Sequence, residues 1–144
     1  MGGEFTVTRV HDGETVRVEG HDVEIVVRLA GVEVPDTAKG EEGPAHQLAL
    51  EAKSQLAEWT LNRTVEIEGH GLDEFNRVIG FVCLEGVNIN LEMIKEGYAR
   101  VYNKEPLHGV YLLPYLKAEE IARRSDRGIW GLSNLHIWMF NSEK

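Results

Sequence analysis

A chain of 144 residues with 42% hydrophobic and 27% charged content is long enough for one domain with a packed core. No apolar run approaches the roughly 20 residues that span a bilayer, so a membrane-spanning helix is excluded. The formal net charge of −9 argues against a protein whose main task is to coat nucleic acid, and the single cysteine, Cys83, excludes an internal disulfide or a cysteine-rich metal centre.

The segment Met1-Gly2-Gly3-Glu4-Phe5-Thr6 carries neither a basic nor an apolar leader, so a cytoplasmic location is expected, with secretion after signal-peptide removal as the alternative. Its match to a myristoylation pattern is set aside because Phe5 and Val7 already begin a strand pattern. Phe5, Val7 and Val10 lead to a turn at Asp12-Gly13. Thr15–Val18 and Glu24–Leu29 follow, separated by a polar turn at Gly20–Asp22, and the three runs predict a β-meander. After the polar, Gly-rich loop 39–44, the spacing of Leu48, Ala52, Leu56 and Trp59 predicts a helix over 45–62, with Pro44 at its start. Asn62-Arg63-Thr64 fits a glycosylation acceptor in form, but Asn62 sits where that helix ends. Thr64–Glu68 and Val78–Leu84 read as further strands, with Cys83 as a small core residue. Asn88 is a candidate N-cap for a short helix closed by Gly97, and 112–124 reads as a third helix.

About five strands with helices inserted and appended predict an α+β, mainly β architecture: a five-stranded Greek-key barrel of OB type with about three helices. No repeat, low-complexity segment or linker divides the chain, so residues 1–144 are expected to form one domain. The stretch 132–144, with Trp138-Met139-Phe140, is unusually apolar for a tail. It is expected to pack back on the barrel or to meet a second chain, by self-association or with a protein partner.

The chemistry concentrates between Arg28 and Asp36. Arg28 interrupts an apolar strand, Ile25-Val26-Val27 before it and Leu29-Ala30 after it, so its charge needs a partner. That partner is either an acid, in a buried ion pair, or a phosphate. Glu33 and Asp36 lie at the end of this strand, Glu14 follows the Asp12-Gly13 turn, and Arg77 follows the acidic turn Asp73-Glu74. Carboxylates from two loops plus a backbone carbonyl suit a hard cation such as Ca²⁺. Two guanidiniums suit bidentate contact with a phosphate. Taken alone, Glu14 is an ordinary solvated turn residue. The six histidines show no metal-ligand spacing and are read as surface residues, and Arg123, Arg124 and Arg127 as the solvated end of the last helix.

Three blocks together carry a resemblance: Asp12-Gly13-Glu14-Thr15-Val16, then Val27-Arg28-Leu29-Ala30-Gly31-Val32-Glu33-Val34-Pro35-Asp36, then Asp73-Glu74-Phe75-Asn76-Arg77-Val78. In order and content they resemble the signature blocks of the staphylococcal nuclease (thermonuclease) family. The segment from Val87-Asn88 to Gly97-Tyr98-Ala99 is similar to that family's second helix. Lys117–Arg124 followed by Gly128-Ile129-Trp130 is similar to its last helix and terminal tryptophan. The resemblance covers about residues 6–131. It implies an OB-fold barrel that hydrolyses DNA and RNA with Ca²⁺, cutting the 5′ P–O bond to leave 3′-phosphates.

Carried over by position, the resemblance makes Glu14 and Glu33 the metal carboxylates, with the Val34 carbonyl as a further ligand. Asp36 becomes the carboxylate that activates or orients the attacking water, and Arg28 and Arg77 the phosphate-binding arginines. Phe75, Tyr102, Tyr111 and Tyr115 fall near its nucleotide-contacting segments, although the tyrosines also suit core or rim positions. The chain departs from the pattern in the length of all three acids: the family has Asp at positions 14 and 33 and Glu at position 36. Each swap moves a carboxylate by about 1.5 Å. Glu74 and Phe75 replace a usual Lys-Tyr pair, and Glu41 and Glu42 stand where lysines are common, so long polyanions are expected to bind less tightly. The expectation is a Ca²⁺-dependent nuclease of altered activity acting on single-stranded DNA or RNA. The alternative is a catalytically weak or inactive barrel that binds protein or nucleic acid.

Overall fold

Residue alternation builds the first three strands. β1 (Gly2–Asp12), β2 (Thr15–Gly20) and β3 (Val23–Leu29) form an antiparallel meander. Val7, Val16, Val18, Val27 and Leu29 are fully buried, so one face of each strand supplies the core. The β2–β3 turn places both His21 and Asp22 at positive φ, 55° and 64°, the conformation that two-residue hairpins require. The computed structural model describes residues 2–35, 43–104 and 112–131. Asp36, Tyr111 and the apolar stretch 132–144 lie outside these residues.

Helix α1 (Pro44–Thr60) buries Ala45, Ala49, Ala52 and Leu56, and its small residues allow close approach to the β1–β2 turn. A Cβ at Gly13 would stand 2.7 Å from the Ala52 Cβ, which explains the glycine there. The helix stops at Thr60, two residues earlier than the periodicity predicts, and Asn62 adopts the left-handed conformation at φ 65°.

β5 (Thr64–Leu72) pairs with β1 and β6 (Val78–Leu84) pairs with β5, both antiparallel. β6 also runs parallel to β3, with Arg28 opposite Ile79. The closed order β1-β2-β3-β6-β5 is the expected five-stranded OB-type barrel. β5 continues past the predicted Glu68 through an irregularity between Gly69 and Leu72.

Two very short pairings escaped the sequence patterns. β4 (Val32–Glu33) pairs with β8 (Arg100–Val101), and β7 (Val87–Asn88) pairs with β6. Helix α2 (Ile89–Lys95) starts as predicted, with the Asn88 side chain accepting from the Leu91 N–H at 3.1 Å, and ends before Gly97 at φ 83°. Its fully buried Asn90 accepts from the Val82 N–H at 3.0 Å and donates to the Ala30 and Gly80 carbonyls at 2.9 and 3.0 Å. One side chain thus ties α2 to β6 and to the end of β3.

Helix α3 (Leu113–Arg124) is followed by a 3₁₀ turn at Gly128–Gly131. Of the basic cluster at this end, two members are not simply solvated. Arg127 donates to the Lys95 carbonyl at 3.0 Å, and the Arg123 guanidinium lies 5.0 Å from the Trp130 ring centroid.

Candidate active site

Arg28 faces away from Val27 and Leu29 along β3, yet only 7% of it is exposed. Its Nε lies 3.1 Å from Glu14 Oε2, Nη1 donates to the Leu29 carbonyl, and the guanidinium sits 5.2 Å from the Tyr102 ring centroid. The charge that stood out in an apolar strand therefore has an acid as its partner.

Glu14 is fixed from several sides. Its N–H donates to Asp12 Oδ1 at 2.8 Å, which shapes the turn. Its carbonyl accepts from the Leu29 N–H at 2.8 Å, and Oε1 accepts from the Val34 N–H at 2.9 Å. Burial raises the Glu14 pKa to about 7. The Arg28 charge and the Val34 N–H pull it down, while Asp12 and Glu33 push it further up.

Glu33 is 6% exposed, and its Oε1 accepts from Arg100 Nε at 2.9 Å. The two residues are register partners in the β4–β8 pair. Arg100 was not singled out from the sequence. No pattern marks a two-residue strand, and Arg100 is 67 residues from its acid.

Arg77 is held by a local device. Asp73 Oδ1 accepts from the N–H groups of Phe75 and Arg77 at 2.8 and 2.9 Å, and Oδ2 accepts from Arg77 Nε at 2.7 Å. Partial burial works to raise the Asp73 pKa. The Arg77 hydrogen bonds, the Phe75 N–H and the Arg77 charge outweigh it and hold the carboxyl below the usual Asp range. Asn76 completes the turn at φ 63°. Phe75 is 71% exposed, and the Arg77 guanidinium lies 5.3 Å from its ring centroid.

Two clefts meet at Arg77. One, of about 480 Å³, is lined by Glu14, Glu33, Val34 and Arg77 together with His11, His46 and Lys53. Two of the histidines read as surface residues thus border this cleft, and burial followed by the Arg9 and Arg17 charges lowers the His11 pKa. The other cleft, of about 360 Å³, is lined by Arg28, Arg77, Phe75, Tyr102 and Lys104.

The structure therefore brings Glu14, Arg28, Glu33, Val34, Arg77, Phe75 and Tyr102 into one region. Tyr115 does not join them. It is 4% exposed, its hydroxyl accepts from Asn88 Nδ2 at 2.6 Å, and its ring lies 6.0 Å from Phe81. Burial pushes its phenol up to about 12. In this structure Tyr115 packs between α3 and the barrel. Asp36 and Tyr111, expected at this site, lie outside the described residues.

The donor chemistry fits a hard dication. Two carboxylates, Glu14 and Glu33, face one cleft together with Val34. Among the described residues no group of three or more His, Cys, Asp or Glu side chains is already arranged as a metal cluster.

The profile of the family described as staphylococcal nuclease homologue matches residues 26–132. The chain belongs to this family. A protein of Haemophilus influenzae named uncharacterized endonuclease is 27% identical over 132 residues, covering 89% of this chain and 66% of its own length. The probable endonuclease lcl3 of Talaromyces marneffei is 32% identical over 131 residues, covering 81% of this chain and 37% of its own. The thermonuclease of Staphylococcus intermedius is 28% identical over 131 residues, covering 90% and 77%. The chain thus spans just under two thirds of the Haemophilus protein and little more than a third of the Talaromyces one. In this chain Glu14 and Glu33 are each bound by an arginine, Arg28 and Arg100.

Proposed function

We propose that this domain is a Ca²⁺-dependent nuclease that hydrolyses phosphodiester bonds of single-stranded DNA or RNA, with an activity altered by its exchanged acids. The observation that carries the reading is the meeting of two clefts at Arg77, one holding the carboxylates and the other the second arginine. Glu14 and Glu33, with the Val34 carbonyl, would hold the cation. When bound, it supplies charge neutralisation and polarisation of water.

Arg28 and Arg77 bind the scissile phosphate and stabilise the charge it gains as it becomes five-coordinate. Their contacts with Glu14 and Asp73 orient both guanidiniums before substrate arrives. Asp36 orients the attacking water. The exposed Phe75 ring offers a stacking surface for a base, and Tyr102 lines the same cleft. The acidic surface disfavours tight capture of long polyanions, consistent with a net charge of −9.

The test is digestion of single-stranded DNA with Ca²⁺ and with EGTA. Wild type is expected to cleave only with Ca²⁺, and Arg28→Ala to lose on the order of 10²–10³ in kcat. Equal cleavage by the variant would remove the arginine from the reaction.

A second reading, a non-catalytic barrel for a protein or nucleic-acid partner, draws support from the same ion pairs, because Arg28, Arg77 and Arg100 already neutralise site acids. Salt-sensitive capture of nucleic acid without cleavage, or no Ca²⁺ binding at all, would favour it.

A further inference from the structure

We propose that Arg100 is a positioning residue that sets the direction and effective charge of Glu33, and that β8 is a brace aligning both halves of the site. The inference rests on the nuclease reading and adds a residue to it. Arg100 Nε donates to Glu33 Oε1 at 2.9 Å. The side chains are 18% and 8% exposed, so the contact is shielded from the solvent and salt that make surface pairs weak. The short β4–β8 ladder puts the two backbones opposite one another, so the pair is built into the register.

The brace extends past Arg100. Two residues on, the Tyr102 N–H donates to the Gly31 carbonyl at 2.9 Å and the Tyr102 ring covers the Arg28 guanidinium. Between them, the Val101 N–H donates to Glu119 Oε2 of α3 at 2.7 Å. One short segment therefore aims a candidate ligand through Arg100, packs a candidate phosphate-binding arginine through Tyr102, and is itself anchored to a helix.

A fixed cation beside a metal carboxylate has two opposed consequences. It orients the carboxylate, which favours turnover, and it repels the metal, which weakens binding. Removing it should separate the two effects. For Arg100→Gln, Ca²⁺ affinity should rise, on the order of tenfold if a unit charge within about 6 Å of the dication is lost. kcat should fall on the order of 100-fold, as the carboxylate loses its fixed direction. Arg100→Lys, which keeps the charge and one donor, should recover part of kcat and return Ca²⁺ affinity toward wild type.

The experiment is calorimetric titration with CaCl₂, steady-state cleavage of single-stranded DNA at saturating Ca²⁺, and thermal unfolding monitored by circular dichroism, on wild type and both variants. Tighter Ca²⁺ binding with lower kcat, partly reversed in Arg100→Lys, is the expected result. Parallel weakening of Ca²⁺ binding and kcat with a lowered melting midpoint would reduce Arg100 to a strut, and no change in either would remove it from the site. Both outcomes overturn the inference while wild type still binds and cleaves. If wild type does neither, the nuclease reading itself fails and the inference falls with it.

Discussion

If Glu14 holds Ca²⁺ as proposed, binding there is a competition with a proton. Burial raises its pKa to about 7, so near neutral pH the cation-free site holds a partly protonated acid. A metal ligand must be the carboxylate, so binding displaces that proton and apparent affinity follows the deprotonated fraction. With a pKa of about 7, that fraction is about 0.1 at pH 6 and about 0.9 at pH 8, so the apparent Kd should fall about tenfold between them. Titration of CaCl₂ in buffers of different ionisation enthalpy should also show about 0.9 proton released at pH 6 and about 0.1 at pH 8. Glu14→Gln should bind weakly and lose most of the pH dependence in this window. The same shift acts on stability with a fixed sign. Its folded pKa lies above the ordinary 4.5, so its contribution is fully present below 4.5 and is lost as pH rises through 7. The loss is about 3 kcal/mol, and Ca²⁺ should restore much of it at pH 8. Affinity that stays flat from pH 6 to pH 8, with no proton released, would refute a Glu14 ligand that titrates near 7.

Two further perturbations probe the fold and the substrate face. Asn90→Ala removes three buried hydrogen bonds linking α2, β6 and the end of β3; it should cost about 2–4 kcal/mol in urea unfolding, and a cost under about 0.5 kcal/mol would contradict the tie. Phe75→Ala removes a 71% exposed ring; it should leave the melting midpoint unchanged while weakening an oligonucleotide by about 1–3 kcal/mol, measured by fluorescence anisotropy.

The barrel was legible because β-branched alternation and Gly/Asp turns are local signals, and the buried face of each strand follows from them. Arg28 was legible for the converse reason, as one charge in an apolar strand whose burial demands a partner. What the local pattern could not show was which partner, because β3 meets the Glu14 turn only once the meander is formed. Arg100 was illegible because its strand has two residues and its acid lies across the fold. Tyr115 illustrates the limit for aromatics, since a tyrosine near the start of a helix serves a core or a ligand equally well until the packed face is known.

The ion pairs also bear on the acids whose length the resemblance reads as exchanged. Considered alone, a Glu in place of an Asp pushes a metal outward and counts as damage. In the fold, Glu14 bridges the Arg28 guanidinium and the Val34 N–H at 3.1 and 2.9 Å, and Glu33 meets Arg100 at 2.9 Å. From the same backbone positions, carboxylates about 1.5 Å shorter would leave these contacts beyond hydrogen-bond range. The longer acids and their arginines therefore form one arrangement. Shortening Glu14 would take its carboxylate away from the buried Arg28 guanidinium, which would keep the Leu29 carbonyl and the Tyr102 ring, and shortening Glu33 would break its contact with Arg100.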